Sequence, residues 1–106
     1  MPLFVVTYQH PNEAGWKQHL MPHIVWLQAQ LKAGTLIASG PFSDRAVRPA
    51  MLIMNAPDRA SLDSLIASDP FAEHGLIDNM TVNEWDPIFG VFNELSSMPG
   101  QMQGVR

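Results

Sequence analysis

Short runs of apolar, β-branched and aromatic residues mark the first three predicted β-strands. The first run is Leu3–Tyr8, whose composition is typical of a buried strand. Two further runs, Thr35–Phe42 and Ala50–Asn55, are joined by the polar segment Ser43–Arg48. That segment is short enough for a turn, so the sequence predicts that the second and third strands form a β-hairpin.

The segment between the first two strands repeats its apolar residues with helical spacing. The predicted helix covers Glu13–Ala33, with Asn12 placed to cap its first turn and Gly34 placed to end it. Pro22 either kinks this helix or lies in the first turn of a second one. One side of the helix is apolar and is expected to face the core: Leu20, Ile24, Leu27 and Leu31.

The second half of the chain predicts another helix and another strand. We expect a helix over Arg59–Ser68, capped by Asp58 and ended by Pro70, because proline disfavours helical geometry in the residue before it. A loop or short turn should follow over Phe71–Asn79. The last strand should lie within Met80–Val91 and continue through the Asp-Pro dipeptide in the middle of that range.

The resulting order, βαββαβ, is that of a ferredoxin-like α+β fold, a four-stranded antiparallel sheet with two helices on one face. The strands are apolar on both sides, so the other face of the sheet also needs a cover. We expect a second copy of the chain to supply it, which gives a homodimer of the dimeric α+β barrel type. Residues 1–92 form the domain, and residues 93–106 form a C-terminal tail that is mobile or contacts the partner.

Composition and charge narrow the classes of function. The 106-residue chain is 46% apolar and 15% charged, which is typical of one compact domain and not of a disordered protein. A formal net charge of -4 with only six Lys and Arg residues argues against a nucleic-acid partner. The absence of cysteine excludes disulfides, thiolate catalysis and Cys-ligated zinc. Because we find no signal peptide and no bilayer-length apolar run, we expect a cytoplasmic protein with no membrane partner.

Two residues, His23 and Asp69, are the candidates for acid–base chemistry. On an ideal helix, His23 lies about 70° from the centre of the apolar side, where a histidine reaches a cleft and stays partly desolvated. Histidine changes its charge near neutral pH, which suits a general acid or base. Asp69 gains a role if its carboxylate accepts a hydrogen bond from the imidazole and fixes the tautomer. Without that contact, the two are a boundary histidine and a helix-end carboxylate.

A serine near the end of the second strand is a candidate for substrate binding. Ser39 is followed by Gly40, which lets a ligand approach the backbone closely, and by Pro41. No nucleophile elbow surrounds Ser39, so its hydroxyl either orients a substrate or bonds to the backbone. His19 and His23 are spaced as two metal ligands can be, but the glutamate of the zinc motif is absent, and we predict no metal site.

The order of these motifs, over about residues 3–90, resembles the YciI-like (YCII-related) family. The resemblance is carried by His23 eleven positions before Gly34, Ser39-Gly40-Pro41, Asp69-Pro70-Phe71, Gly75-Leu76 and Glu84-Trp85. It implies a ferredoxin-like dimer related to muconolactone isomerase. It also implies a histidine–aspartate pair, here His23 and Asp69, in a pocket near the dimer interface with Ser39 close by. His74 departs from the family pattern, and it either lines the pocket or is incidental.

The expected function is that of a small cofactor-free lyase or isomerase acting on a cyclic or aromatic molecule. One branch of the family removes chloride from a chlorinated hydroxyhydroquinone, and this dehydrochlorination is the example we favour. His23 accepts a proton from the substrate, Asp69 holds the imidazole, and Ser39 orients a substrate oxygen. The remaining candidates for substrate binding are Gly40, Pro41, Phe71, His74 and Trp26.

Three other interpretations stay open at this point. The homodimer could bind a small ligand without turning it over, and the uncovered sheet could dock a different protein. A protein of this fold could also handle haem or oxygen. The first differs from the enzyme in not needing the coupling between His23 and Asp69.

Overall fold

The computed structural model describes residues 1–43 and 46–100, and it contains four strands and three helices in that part of the chain. The elements are β1 (Leu3–Gln9), α1 (Glu13–Ala33), β2 (Leu36–Pro41), β3 (Ala50–Asn55), α2 (Arg59–Ala67), α3 (Pro70–Glu73) and β4 (Asp78–Trp85). A short 3-10 turn, Asn93–Leu95, follows. The predicted order of helices and strands is present, with α3 as an addition.

The four strands form one antiparallel sheet in the order β2-β3-β1-β4. On β1, Phe4, Val6 and Tyr8 alternate toward the helices and are buried. They share one core with buried residues of both longer helices, Leu62 and Ile66 of α2 among them. Both helices therefore cover the same face of the sheet, and the predicted ferredoxin-like α+β fold is confirmed.

Helix α1 has the predicted bounds, and local hydrogen bonds explain both ends. The Asn12 side chain accepts a hydrogen bond from the Gly15 backbone N–H at 3.0 Å. Gly34 follows the last turn with φ of 80°, a left-handed conformation that glycine adopts without strain. Pro22 lies inside one continuous helix. Neither α1 nor any other helix in residues 1–43 and 46–100 is long and apolar enough to cross a membrane.

The buried side of α1 differs from the expected apolar stripe. His23 and Trp26 are 7% and 8% exposed, whereas Leu31, expected to face the core, is 53% exposed. His23 is therefore buried, and the expectation that it lies at the margin of the core was wrong. Both side chains are buried because the residues after α2 supply hydrogen-bond partners for them. Trp26 Nε1, for example, donates to the Ser68 hydroxyl at 2.9 Å.

Helix α2 begins as expected, with the Asp58 side chain accepting from the Ser61 N–H at 2.7 Å. A loop or short turn was expected over Phe71–Asn79; its first residues instead belong to the one-turn helix α3, and its last two belong to β4. Asp69 caps α3 by accepting a hydrogen bond from the Phe71 N–H at 3.0 Å. Pro70 suits the first position of a helix, because its missing N–H would have no helical partner there.

Strand β4 ends at Trp85 and does not continue through the Asp-Pro dipeptide. Pro87 has no N–H for a sheet, and Asp86 instead accepts a hydrogen bond from the Ser97 N–H at 2.9 Å. The buried Asn93 side chain donates to the carbonyls of Ile88 and Met98. The chain after β4 thus has its own hydrogen-bonded structure as far as it is described. The domain boundary after residue 92 stays a prediction, and residues 101–106 of the expected tail lie outside the described part.

Candidate active site

A cavity of about 440 Å³ lies between α1 and the face of the sheet that carries the core. Its volume is in the usual range for sites that bind small molecules. Residues from three strands, from α1 and from α3 line it, including Tyr8, His10, Trp16, His23, Arg48 and Phe71, and the segment Ser39–Phe42. The walls are mainly apolar, with a few polar groups that converge on the interior.

His23 and Asp69 form a buried hydrogen-bonded pair at one wall of this cavity. His23 Nδ1 lies 2.8 Å from Asp69 Oδ1 and 3.0 Å from Oδ2, and Asp69 is 1% exposed. An ionised carboxylate can only accept, so Nδ1 carries a hydrogen and the neutral imidazole keeps a bare Nε2. Nε2 has no hydrogen-bond partner among the described residues, and His23 lines the cavity. The arrangement presents a proton acceptor to a bound molecule.

Asp69 has a second role, because its Oδ1 atom also accepts the Phe71 N–H that begins α3. The carboxylate therefore lies behind the imidazole and is held in place by both contacts. Its position depends on a single helix end, where the sequence Asp69-Pro70-Phe71 combines a cap, a suitable first residue and a buried anchor.

Aromatic rings fix the plane of the His23 imidazole. The Phe71 ring is parallel to it, with centroids 4.0 Å apart, and the Trp26 ring is nearly parallel at 6.2 Å. Phe71 also contacts the ring of His10, with centroids 4.6 Å apart. These contacts restrict rotation of His23, and they make its surroundings partly dry.

Tyr8 is a cavity residue that the sequence interpretation missed. It is 3% exposed, and its hydroxyl makes no hydrogen bond within residues 1–43 and 46–100. Burial raises the pKa of Tyr8 well above its usual range, and the charge of Asp69 acts in the same direction. The hydroxyl therefore stays protonated and can donate to a ligand. The alternation of Phe4, Val6 and Tyr8 along β1 was a signal that could have placed Tyr8 on the buried face of the sheet.

His10 is a second buried histidine that was not predicted. Its Nδ1 lies 2.8 Å from the Leu76 carbonyl, to which it donates, and the residue is 3% exposed. Burial lowers the pKa of His10 and outweighs the hydrogen bond to Leu76, which acts in the opposite direction. His10 is thus a neutral part of the wall. No local signal could have found it, because Leu76 is distant in the sequence.

Arg48 brings a positive charge to the cavity from the connection between β2 and β3. Its guanidinium lies over the Trp16 ring, 3.8 Å from the centroid, and Nη2 donates to Glu13 Oε1 at 3.0 Å. The bond to Arg48 holds the pKa of Glu13 below its usual range, and Lys17 contributes to the same effect. The sequence interpretation gave Arg48 no role beyond a polar turn, part of which lies outside the described residues.

The structure places the predicted substrate-binding residues in two groups. Four of them line the cavity with His23, namely Ser39, Gly40, Pro41 and Phe71. Trp26 and His74 are not in the lining: Trp26 packs in the core, and the exposed His74 stacks on His19 with centroids 3.8 Å apart. In the described part of the chain, no three His, Asp or Glu side chains are grouped as metal ligands.

Comparison with known families identifies the domain. A family model described as the YCII-related domain matches residues 1–86, which is most of the chain. The chain belongs to the YCII-related domain family. The matched range contains every strand and helix that lines the cavity, and the resemblance seen in the sequence motifs is confirmed.

Solved structures similar to this YCII-related domain share its fold. One is 5-chloro-2-hydroxyhydroquinone dehydrochlorinase from Burkholderia phenoliruptrix AC1100 in complex with 2,5-dihydroxybenzoquinone, with 22% identity, 79% of this chain and 93% of that chain covered, and a TM-score of 0.65. Another is an antibiotic biosynthesis monooxygenase with 20% identity, 79% of this chain and 96% of that chain covered, and a TM-score of 0.52. A third is a protein of Agrobacterium tumefaciens with 18% identity, 82% of this chain and 93% of that chain covered, and a TM-score of 0.52. No protein with a curated description matches the sequence.

Proposed function

We propose that the protein is a lyase or isomerase that moves protons on a hydroxylated cyclic or aromatic molecule without a cofactor. The observation that carries this proposal is the orientation of His23. Its Nδ1 is held by both oxygens of Asp69, while Nε2 has no partner in the described residues and belongs to the cavity wall. A histidine fixed in this way acts as a general base and then returns the proton as a general acid.

The example we favour is loss of hydrogen chloride from a chlorinated hydroxyhydroquinone. His23 Nε2 takes the proton of one hydroxyl and returns it to the ring carbon that bears chlorine, so that this carbon becomes tetrahedral. Chloride then leaves with the electron pair of its bond, and a second hydroxyl loses its proton to Nε2 of His23, which is neutral again after the first transfer. The electrons of that O–H bond form the new C=O bond, the adjacent ring double bond moves to the carbon that lost chloride, and a quinone results. The net change is loss of HCl, which needs no external oxidant or reductant.

Other cavity residues have supporting roles in this proposal. Ser39 supplies a hydroxyl at the end of β2 that orients a substrate oxygen. The protonated Tyr8 hydroxyl donates to the oxygen that gains negative charge when its proton is taken. Phe71 and Trp16 give the apolar walls that an aromatic ring needs. The similar fold of a dehydrochlorinase, whose structure holds 2,5-dihydroxybenzoquinone, supports this choice of substrate class.

The proposal is tested by turnover of 5-chloro-2-hydroxyhydroquinone, followed as chloride release and quinone absorbance. We expect His23→Ala to lower kcat by at least about a hundredfold, the usual contribution of a positioned acid–base group. His19→Gln is the matched control, because this histidine lies one turn earlier on α1 and stacks on His74. An active His23→Ala variant would contradict the proposed mechanism, and no turnover by the unaltered protein would contradict the substrate.

The second candidate is a binding protein that holds the same kind of ligand without changing it. The volume and mainly apolar walls of the cavity favour it, since neither feature requires chemistry. For a binding protein, Asp69→Asn should leave the ligand dissociation constant almost unchanged. Calorimetry with 2,5-dihydroxybenzoquinone measures that constant, and the enzyme assay separates the two candidates.

We further propose that the protein is a homodimer, with the sheets of the two copies packed face to face. Trp85 lies opposite Leu3 on the sheet face away from the helices and is 38% exposed. In the segment after β4, Phe89 and Val91 are 66% and 87% exposed. Exposed apolar residues of this size are typical of an interface.

Sedimentation equilibrium should give twice the mass of the chain, and Val91→Glu should shift the equilibrium toward monomers. A monomer at all concentrations would contradict this proposal.

A further inference from the structure

Arg48 is the one permanent cation in the described wall of the cavity. The same part of the wall contains no aspartate or glutamate, since Asp69 lies behind His23 and Glu13 lies outside. The Arg48 side chain is 36% exposed, so one side of it faces water and the other faces the mainly apolar cavity, where water screens its attraction for an anion less. This charge also stands out in a chain whose formal net charge is -4.

Arg48 combines an unusual backbone conformation with a side chain held by an aromatic ring. Its φ of 47° is in the left-handed region, which a residue with a side chain rarely adopts, and Pro49 follows it. The side chain is held flat over the Trp16 ring. Residues kept in such a conformation are frequent in binding sites, where the strain keeps a group in its working position.

Most of the donors of this guanidinium have no partner among residues 1–43 and 46–100. An arginine has five N–H donors, and within the described residues Arg48 donates one hydrogen bond, to Glu13. The Glu13 side chain is 63% exposed, so the ion pair is surrounded by water and contributes little. A carboxylate in the cavity can therefore share the guanidinium without breaking a strong contact.

The rise of α1 between Trp16 and His23 gives the approximate length that a ligand must span to contact both Arg48 and His23. Arg48 covers Trp16, and Trp16 lies two turns before His23 on α1, which is roughly 10 Å along the helix axis. One aromatic ring with a polar group at each end spans such a distance. A ring with two neighbouring polar groups does not.

We propose that Arg48 selects a monocyclic aromatic anion whose acidic group lies across the ring from the hydroxyl that faces His23. This inference rests on the proposed function for the role of His23, and it adds a requirement on the substrate: an acidic group, either a carboxylate or an acidic hydroxyl such as that of a hydroxyquinone, across the ring from the hydroxyl that faces His23. The guanidinium binds the acidic group at one end of the cavity, and Nε2 of His23 accepts from the hydroxyl at the other. Arg48 thus sets the charge of the ligand, and the positions of Arg48 and His23 together set its geometry.

Three unreactive probes test the inference by calorimetry at low salt. They are 4-hydroxybenzoate, its neutral analogue 4-hydroxybenzamide, and 2-hydroxybenzoate, which has the same charge but neighbouring groups. We expect the unaltered protein to bind 4-hydroxybenzoate at least about tenfold more tightly than either of the others, which is the size of one charged hydrogen bond.

Substitutions show whether Arg48 causes that preference. Arg48→Met should remove the preference for the acid over the amide and leave the affinity for the amide within about twofold. Lys17→Met is the matched control. Like Arg48, Lys17 forms an ion pair with Glu13, its Nζ lying 3.8 Å from Oε1, but it is not in the cavity wall. Glu13→Gln, which removes a competing charge, should tighten binding of the acid. This variant keeps the inference testable even if Arg48→Met folds poorly.

Equal affinities for the three probes, no measurable binding of 4-hydroxybenzoate, or an unchanged preference in Arg48→Met would overturn the inference. The last result would show that Arg48 only clamps the start of α1 to the connection between β2 and β3. None of these results depends on turnover. The proposed function fails in a different experiment, the one in which His23→Ala stays active.

Discussion

The imidazole of His23 lies parallel to the ring of Phe71, with centroids 4.0 Å apart and planes inclined by 15°. Asp69, two residues before Phe71, holds Nδ1 of the same imidazole at 2.8 Å. One face and one edge of the imidazole are therefore fixed by a single short segment at the start of α3. This relationship makes the orientation of His23 sensitive to either contact.

Phe71→Leu should weaken both the fold and the site. Phe71 is 1% exposed, so loss of its ring should lower the free energy of unfolding by about 1–2 kcal/mol. Turnover should fall more than ligand affinity, because the imidazole is less well oriented. Urea unfolding and steady-state kinetics measure the two effects. Leu31→Ala, at a residue 53% exposed on α1, should change neither, and equal losses in the two variants would argue against a special role for Phe71.

Asp69→Asn should change the tautomer of His23. The asparagine can still accept the Phe71 N–H, but it no longer offers two charged oxygens to Nδ1. The ¹⁵N chemical shifts of the imidazole should report hydrogen on Nδ1 in the neutral native form and a mixture in the variant. Turnover should fall at least about tenfold. Asp63→Asn, an exposed carboxylate paired with Arg59, is the control. Identical imidazole shifts in the native protein and Asp69→Asn would refute the coupling.

Tyr8→Phe should separate ligand binding from stability. The lost hydroxyl has no partner in the described residues, so the free energy of unfolding should change by less than about 1 kcal/mol. Affinity for hydroxylated or quinone ligands should fall by about tenfold, because the cavity loses a donor. Calorimetry and urea unfolding give the two values. A stability loss without a change of affinity would show that Tyr8 only packs in the core.

Trp26→Phe should show the reverse pattern. Trp26 belongs to the core and donates to Ser68, so losing this hydrogen bond should lower the free energy of unfolding by about 1–2 kcal/mol. Ligand affinity should stay within about twofold, since the residue is not in the cavity wall. A large loss of affinity in a variant of normal stability would restore the sequence-based expectation that Trp26 binds substrate.

His10 should make the fold less stable in acid. Its pKa is lowered by burial, so below about pH 6.5 the unfolded chain takes up the proton more readily than the folded protein. The free energy of unfolding should therefore fall as the pH drops through that value, until the pH is below the lowered pKa. In His10→Asn, which keeps a donor for Leu76, this part of the fall should be absent. His74→Asn, at an exposed position, should retain it, and matching pH profiles for both variants would exclude His10 as the cause.

Local signals explain what the sequence could predict about the fold. The bounds of α1 were predictable because Asn12 and Gly34 act within one turn of the chain. The end of β4 was misplaced although Pro87, which has no N–H for a sheet, was a local signal for it. The hydrogen bond between Asp86 and Ser97, eleven residues apart, has no such local signal. Helix α3 was missed because four residues carry too little periodicity to predict a helix.

The candidate site was predictable where a residue type limits its role. A histidine and an aspartate within recognisable motifs led to His23 and Asp69, and a serine at a strand end led to Ser39. The burial of His23 could not be predicted from helical spacing, because a polar partner from elsewhere in the chain decides it. The same is true of Arg48, whose position over Trp16 joins two distant segments.

One oxygen of Asp69 accepts hydrogen bonds from both His23 and the backbone of Phe71. Unwinding of α3 breaks the contact of this oxygen with Phe71, and we expect the hold of Asp69 on the imidazole to weaken with it. The thermal lifetime of the site is then governed by the local opening of a four-residue helix, and not by melting of the sheet. On heating, inactivation should precede global unfolding, and amide exchange at Phe71 should follow the loss of function.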